Sequence, residues 1–123
     1  PSDPTGATAT AAAHNPSGAT GSVSGVSYSG NDMIVTLTGV TDQQVLTLST
    51  SGGSVSPAVV PLGFLAGDTT ADRSVNSADI GLTKSKSGQT VDITNFRTDA
   101  NVDGTLNSAD IGLVKSKSGN ALP

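Results

Sequence analysis

The 123-residue sequence predicts an α+β chain, with a β-rich segment followed by a pair of loop–helix units. Three observations carry this expectation. Short apolar runs with period-two alternation fill residues 22–66, turn residues separate those runs, and a 22-residue stretch then recurs once at an offset of 31 positions.

Composition limits what such a chain can be. One Tyr, two Phe and no Trp leave packing to Val, Leu, Ile and Ala, and a core this thin needs a staple. The absence of cysteine excludes disulfides and thiolate metal sites, so hard cations or a partner chain are the available staples. All ten acidic residues are Asp, and six of them occupy matched places in the two repeat copies, a pattern of coordination more than of solubility. The formal charge of -4, with no basic stripe, argues against nucleic acid. No apolar run approaches the roughly 20 residues of a membrane-spanning helix. The chain opens at Pro1 with no signal-like segment, and its Ser-, Thr-, Gly- and Ala-rich composition leads us to expect a processed or excised piece of a bacterial extracellular or cell-surface protein.

Residues 1–21, PSDPTGATATAAAHNPSGATG, form a low-complexity arm that cannot bury enough apolar surface to order itself alone. Residues 22–66 read as strands in a meander: SVSGVSY, MIVTLTGV and QVLTLS, with Val35 and Leu37 alternating with Thr36 and Thr38. The run SVSPAVVPLGFL, broken by Pro57 and Pro61, suits an edge strand or an extended linker. Four strands fall short of the roughly seven in an immunoglobulin-type sandwich. The segment is therefore either a partial immunoglobulin-like β-sandwich or a small antiparallel sheet. The Thr- and Ala-rich arm could cover its open edge, within one chain or from the next.

Residues 67–123 hold the repeat. DTTADRSVNSADIGLTKSKSGQ (68–89) and DANVDGTLNSADIGLVKSKSGN (99–120) share 14 identities in 22 positions. Each copy follows the 12-residue calcium-loop spacing, in which positions 1, 3, 5 and 12 offer side-chain oxygens, position 7 a backbone carbonyl and position 9 a contact through water. In the second copy these are Asp99, Asn101, Asp103, Asp110, Thr105 and Asn107, with Gly104 at the sharp turn. In the first they are Asp68, Thr70, Asp72, Asp79, Ser74 and Asn76, with Arg73 where the turn favours glycine. Two Ca²⁺ sites are expected, the second the tighter. Helices should start near Ser77 and Ser108, each Ser serving as N-cap, with Ile80, Leu82, Ile111 and Leu113 facing the core. Val75 and Leu106 should pair in a short backbone contact between the loops.

The pattern D-x-N-x-D-G-x-h-N-S-x-D-h-x-L-x-K, with h apolar, occurring twice about 30 residues apart with no helix before the first loop, resembles type I dockerin. The resemblance implies two calcium loop–helix (F-hand) motifs related by a pseudo-twofold, folding that requires calcium, and binding to a cohesin module. Carried over by position, the partner contacts fall on Ser77, Ala78 and Lys84 and on Ser108, Ala109 and Lys115. Each copy departs from the longer cellulosomal helices by stopping at KSKSG, and Gly81 and Gly112 weaken both helices.

Catalysis has little to stand on, because His14 is the sole His and no Ser or Cys sits beside a base in a recognisable motif. Two readings of function stay open. One is a non-catalytic, extracellular calcium-binding docking module whose partner is a cohesin-like module or a neighbouring domain of the parent protein. The other is a structural subunit of an extracellular fibre or surface assembly that binds copies of itself by strand complementation.

Overall fold

A computed structural model describes residues 4–15 and 18–123. The chain divides into two compact units, the first ending at Phe64 and the second spanning Leu65–Leu122.

The first unit is built from five strands: β1 (Ala7–Asn15), β2 (Ser22–Ser29), β3 (Asp32–Thr38), β4 (Gln44–Gly52) and β5 (Ala58–Phe64). They form a three-stranded antiparallel sheet in the order β1-β4-β5 and a two-stranded sheet of β2 and β3. The alternation read in the sequence survives in β3, where Met33, Val35 and Leu37 are half-buried between exposed neighbours. Low complexity does not keep the Thr- and Ala-rich arm from forming a strand, because β4 supplies the ladder its side chains cannot. Ala7 pairs with Gly52 at one end and Asn15 with Val45 at the other. Pro61 sits in the edge strand β5 opposite Thr47, the kind of place a residue without an N–H can occupy in a sheet.

The core of this unit is small. Leu46 is fully buried in the central strand β4, Ala7 nearly so, and the Tyr28 hydroxyl of β2 donates to the carbonyl of Ala7. Gln44 is also fully buried, and its Nε2 donates to the carbonyls of Thr20 at 2.5 Å and Thr41 at 2.8 Å. Gly21 leaves the room that Leu46 fills, since a Cβ at that position would lie 2.5 Å from Leu46 Cδ1.

The second unit contains α1 (Ser77–Lys86), a short 3-10 turn (Phe96–Thr98) and α2 (Ser108–Ser116). The connector between the repeats is fixed by polar groups. Asp92 accepts from the Thr94 amide at 2.7 Å and its hydroxyl at 2.6 Å, while buried Asn95 accepts from the Asp92 amide and donates to the Thr90 carbonyl. The Thr94 hydroxyl foremost holds the Asp92 carboxyl below its ordinary value.

Three sequence expectations are corrected here. The residues preceding the helices as N-caps are Asn76 and Asn107, not Ser77 and Ser108, which are instead the first helical residues. The fully inward helix positions are Asp79 with Thr83 and Asp110 with Val114, one turn apart on a single face, while Ile80, Leu82, Ile111 and Leu113 are only half-buried. Val75 and Leu106 are both buried, at 1% and 4% exposure, but their described backbone bonds cross to the segment after the opposite helix. Gly119 N donates to the Val75 carbonyl at 2.8 Å, and its repeat mate Gly88 N donates to the Leu106 carbonyl at 2.7 Å. Ser74 bridges Ala121 and Thr105 bridges Thr90, again as mates in the 31-residue repeat.

Truncating Leu46 leaves a cavity where β4 has neighbours on both sides, so Leu46→Ala should destabilise the β unit by about 2–5 kcal/mol. Gly21→Ala should destabilise the same unit by overpacking, by about 1–3 kcal/mol. Urea unfolding followed by circular dichroism checks both, and a midpoint unchanged in either variant would contradict this account of the core.

Candidate metal centre

Each loop is shaped by its own carboxylates before any ligand is considered. Asp68 accepts from the amides of Asp72 at 3.1 Å and Arg73 at 2.9 Å, and Asp99 accepts from those of Asp103 at 3.1 Å and Gly104 at 3.0 Å. The first carboxylate thereby pulls the chain into a turn. Asp72 then accepts from the amide and hydroxyl of Ser74, and Asp103 from those of Thr105. Asn76 Nδ2 donates to the Ser74 hydroxyl and Asn107 Nδ2 to that of Thr105. The repeat is thus conserved in its bonds even where Ser is exchanged for Thr.

Position 12 closes the loop. Asp79 and Asp110 are fully buried, and a buried carboxylate is tolerable only when its oxygens are hydrogen-bonded. Asp79 Oδ1 accepts from the Thr70 amide at 3.0 Å and hydroxyl at 2.9 Å, and Oδ2 from the Asn76 amide at 2.8 Å. Asp110 Oδ1 accepts from the Asn101 amide at 3.3 Å and Oδ2 from the Asn107 amide at 2.9 Å. Burial pushes the Asp79 carboxyl up, but the amides of Asn76 and Thr70 and the Thr70 hydroxyl outweigh it and hold the group below its ordinary value. The Thr105 hydroxyl, more than any other contact, lowers Asp103 in the same sense. Both carboxylates stand ionised at neutral pH.

The same two residues start the helices. Ala78 N donates to Asn76 Oδ1 at 2.8 Å and Ala109 N to Asn107 Oδ1 at 2.7 Å, with Asp79 and Asp110 returning the capping box to the cap amides. Sequence reasoning missed this, although Asn followed three residues later by Asp was the available signal. It also missed position 4, where Ala71 (φ 61°) and Val102 (φ 59°) are left-handed. The turn at position 6 is as expected: Arg73 has φ 76° where Gly104 has φ 85°.

The donor set fits a hard cation. Every candidate side chain offers oxygen, and carboxylate oxygens of Asp68, Asp72 and Asp79 come within 4.8 Å of one another. Thr70 donates its only proton to Asp79, so its oxygen lone pairs remain to be shared. Around the loops, Ser77, Ala78, Lys84, Ser108, Ala109 and Lys115 are all exposed along the two helices.

Two loop–helix units, with most of their bonds repeated between the copies and an oxygen-only donor set, define a paired loop–helix module suited to hard cations. Residues 66–117 match the family model of the dockerin type I domain, a family of non-catalytic docking modules that bind calcium and cohesin. No curated protein and no solved structure matches the chain. Among the described residues no helix is long and apolar enough to cross a membrane.

Because the caps are asparagine side chains, Asn76→Ala and Asn107→Ala should each lower stability by about 1 kcal/mol. Gly81 and Gly112 have open space where a Cβ would stand, so Gly81→Ala and Gly112→Ala should each raise stability by up to about 1 kcal/mol. Thermal melts of the four variants read both effects, and a destabilising glycine replacement would show that the helix faces are not open.

Proposed function

We propose that residues 67–120 are a calcium-dependent, non-catalytic docking module of an extracellular or cell-surface bacterial protein, with one ion in each loop. The observation that carries this is the convergence of the Asp68, Asp72 and Asp79 carboxylates, within a loop whose bonds recur in the second copy. The first ion would be held by Asp68, Thr70, Asp72 and Asp79, the Ser74 carbonyl and, through water, Asn76. The second would be held by Asp99, Asn101, Asp103 and Asp110, the Thr105 carbonyl and, through water, Asn107. Bound calcium supplies positive charge to clustered carboxylates. Residues 67–120 carry seven Asp and six Lys or Arg, a net charge of -1, and two divalent ions would bring this to +3.

The two sites are unequal in this reading. Arg73 holds a left-handed turn at a cost of about 1 kcal/mol that Gly104 avoids, and a hydroxyl at Thr70 is a weaker ligand than the amide of Asn101. Docking would use the exposed helix residues Ser77, Ala78, Lys84, Ser108, Ala109 and Lys115 against a cohesin-like module or a neighbouring domain of the parent protein. The β unit, with its sheets of three and two strands, would be part of an immunoglobulin-like sandwich in that parent. The fibre reading lacks a comparable observation, since β1 pairs with β4 of its own chain.

At 100 times the dissociation constant, each ion should stabilise its unit by about 2.7 kcal/mol. Chelation by EDTA should therefore lower the melting temperature of residues 67–120, and a melting curve indifferent to EDTA would sink the calcium reading. Calorimetry with calcium should show Asp110→Ala losing more affinity than Asp79→Ala. Arg73→Gly should tighten the first site about fivefold by relieving roughly 1 kcal/mol of strain, and Thr70→Asn should tighten it further. Equal affinities at both sites of the unmodified protein would refute the ranking.

A further inference from the structure

We propose that the carboxy-terminal segment Gly119–Leu122 is a positioning strap for the first calcium loop, aiming the Ser74 backbone carbonyl at the ion; this rests on the calcium reading above. Three backbone bonds carry the strap. Gly119 N donates to the Val75 carbonyl at 2.8 Å, Val75 N to the Asn120 carbonyl at 2.8 Å, and Leu122 N to the Arg73 carbonyl at 2.9 Å. They bracket Ser74, the position whose carbonyl is the one backbone ligand in a loop of this spacing.

The direction follows from peptide planarity. The Ser74 carbonyl and the Val75 N–H belong to one planar trans peptide, so they point in opposite senses. Because the strap takes the Val75 N–H, the Ser74 carbonyl is turned away from the strap, to the side on which the Ser74 amide donates to the Asp72 carboxylate. The Leu122 bond to the preceding carbonyl, that of Arg73, fixes the peptide on the other side. This bond also anchors Arg73 itself, the residue held at φ 76°. The entry to the loop leans on the same end of the second repeat, since a Cβ at Gly67 would lie 3.2 Å from Lys117 Cβ and 3.3 Å from Val75 Cγ1.

The arrangement is crossed. The second loop is held by the segment after α1, through Gly88 N to the Leu106 carbonyl and the bridge of Thr90 to Thr105. Each loop is therefore oriented by the other repeat, and damage to the carboxy-terminal strap should weaken the first site selectively.

The test is a calcium chloride titration of the full chain followed by nuclear magnetic resonance, with the amides of Ser74 and Thr105 reporting the two loops separately. Leu122→Pro removes the N–H that Arg73 accepts, and Leu122→Ala retains it. Leu122→Pro should weaken the first loop about tenfold while moving the second by less than about twofold, and Leu122→Ala should leave both near their original affinities. A chain ending at Gly119 should reproduce the Leu122→Pro pattern. Equal losses in both loops, no loss, or the same loss in Leu122→Ala would overturn the strap. An unmodified chain whose residues 68–79 do not respond to calcium would overturn the calcium reading itself, and the strap with it.

Discussion

The buried carboxylate at the last position of each loop is the constraint on which the second unit depends. Asp79 and Asp110 have no exposed surface, so both oxygens must be satisfied inside the protein. One oxygen takes an amide from position 3 of the loop and the other takes the amide of the cap asparagine. A single side chain therefore closes the loop and sets the first turn of the helix. Asp has the reach to do both from the third helical residue, and its charge also favours the positive end of the helix dipole. Loop closure and helix start thus share one carboxylate in each repeat.

Neither unit has much apolar mass to add to this. The largest fully buried side chains of the second unit are Val75, Val114, Thr83, Asp79 and Asp110, three of the five polar. A unit of that kind must derive its order from backbone pairing and hydrogen-bonded polar groups. The crossed straps serve this purpose, because each repeat is too short to enclose its own position-8 residue and borrows the backbone after the other helix. In the first unit the same shortage is met by sheet formation, with β4 paired on both sides and Leu46 enclosed beneath it.

How legible each feature was in the sequence follows from whether its cause is local. Strands β2 to β5 were readable because alternation and turn residues are local signals, and the two loop–helix units because the repeat and its 12-residue spacing lie in the residues themselves. The Ala7–Asn15 strand was readable only as a candidate cover for the open sheet edge, with neither its partner strand nor its register. Its order comes from β4, about 40 residues away in the chain, and composition alone argued against it. The N-cap was misplaced by one residue because Asn and Ser are equally good caps and only the position of the following Asp distinguishes them. The straps were invisible because Gly119–Leu122 has no side-chain pattern, and its role lies in backbone groups alone.

Backbone strain is distributed unevenly, and its placement bears on what the second unit is for. Among the described residues, four non-glycine residues have positive φ, and three of them, Ala71, Arg73 and Val102, lie in the two loops. Such conformations cost of order 1–3 kcal/mol each and persist where the surroundings over-determine them. In this protein the surroundings are the carboxylates at positions 1, 5 and 12, which draw amides inward in both loops and, in the first, bring three carboxylates within 4.8 Å of one another. Neither the strain nor the crowding lowers the energy of the chain by itself. Gly81 and Gly112 add to the local expense, since open space beside both would accommodate a methyl group. The repeat of these costs in both copies is what the proposed function accounts for: a cation would neutralise the loops, and a partner would approach the open helix faces closely.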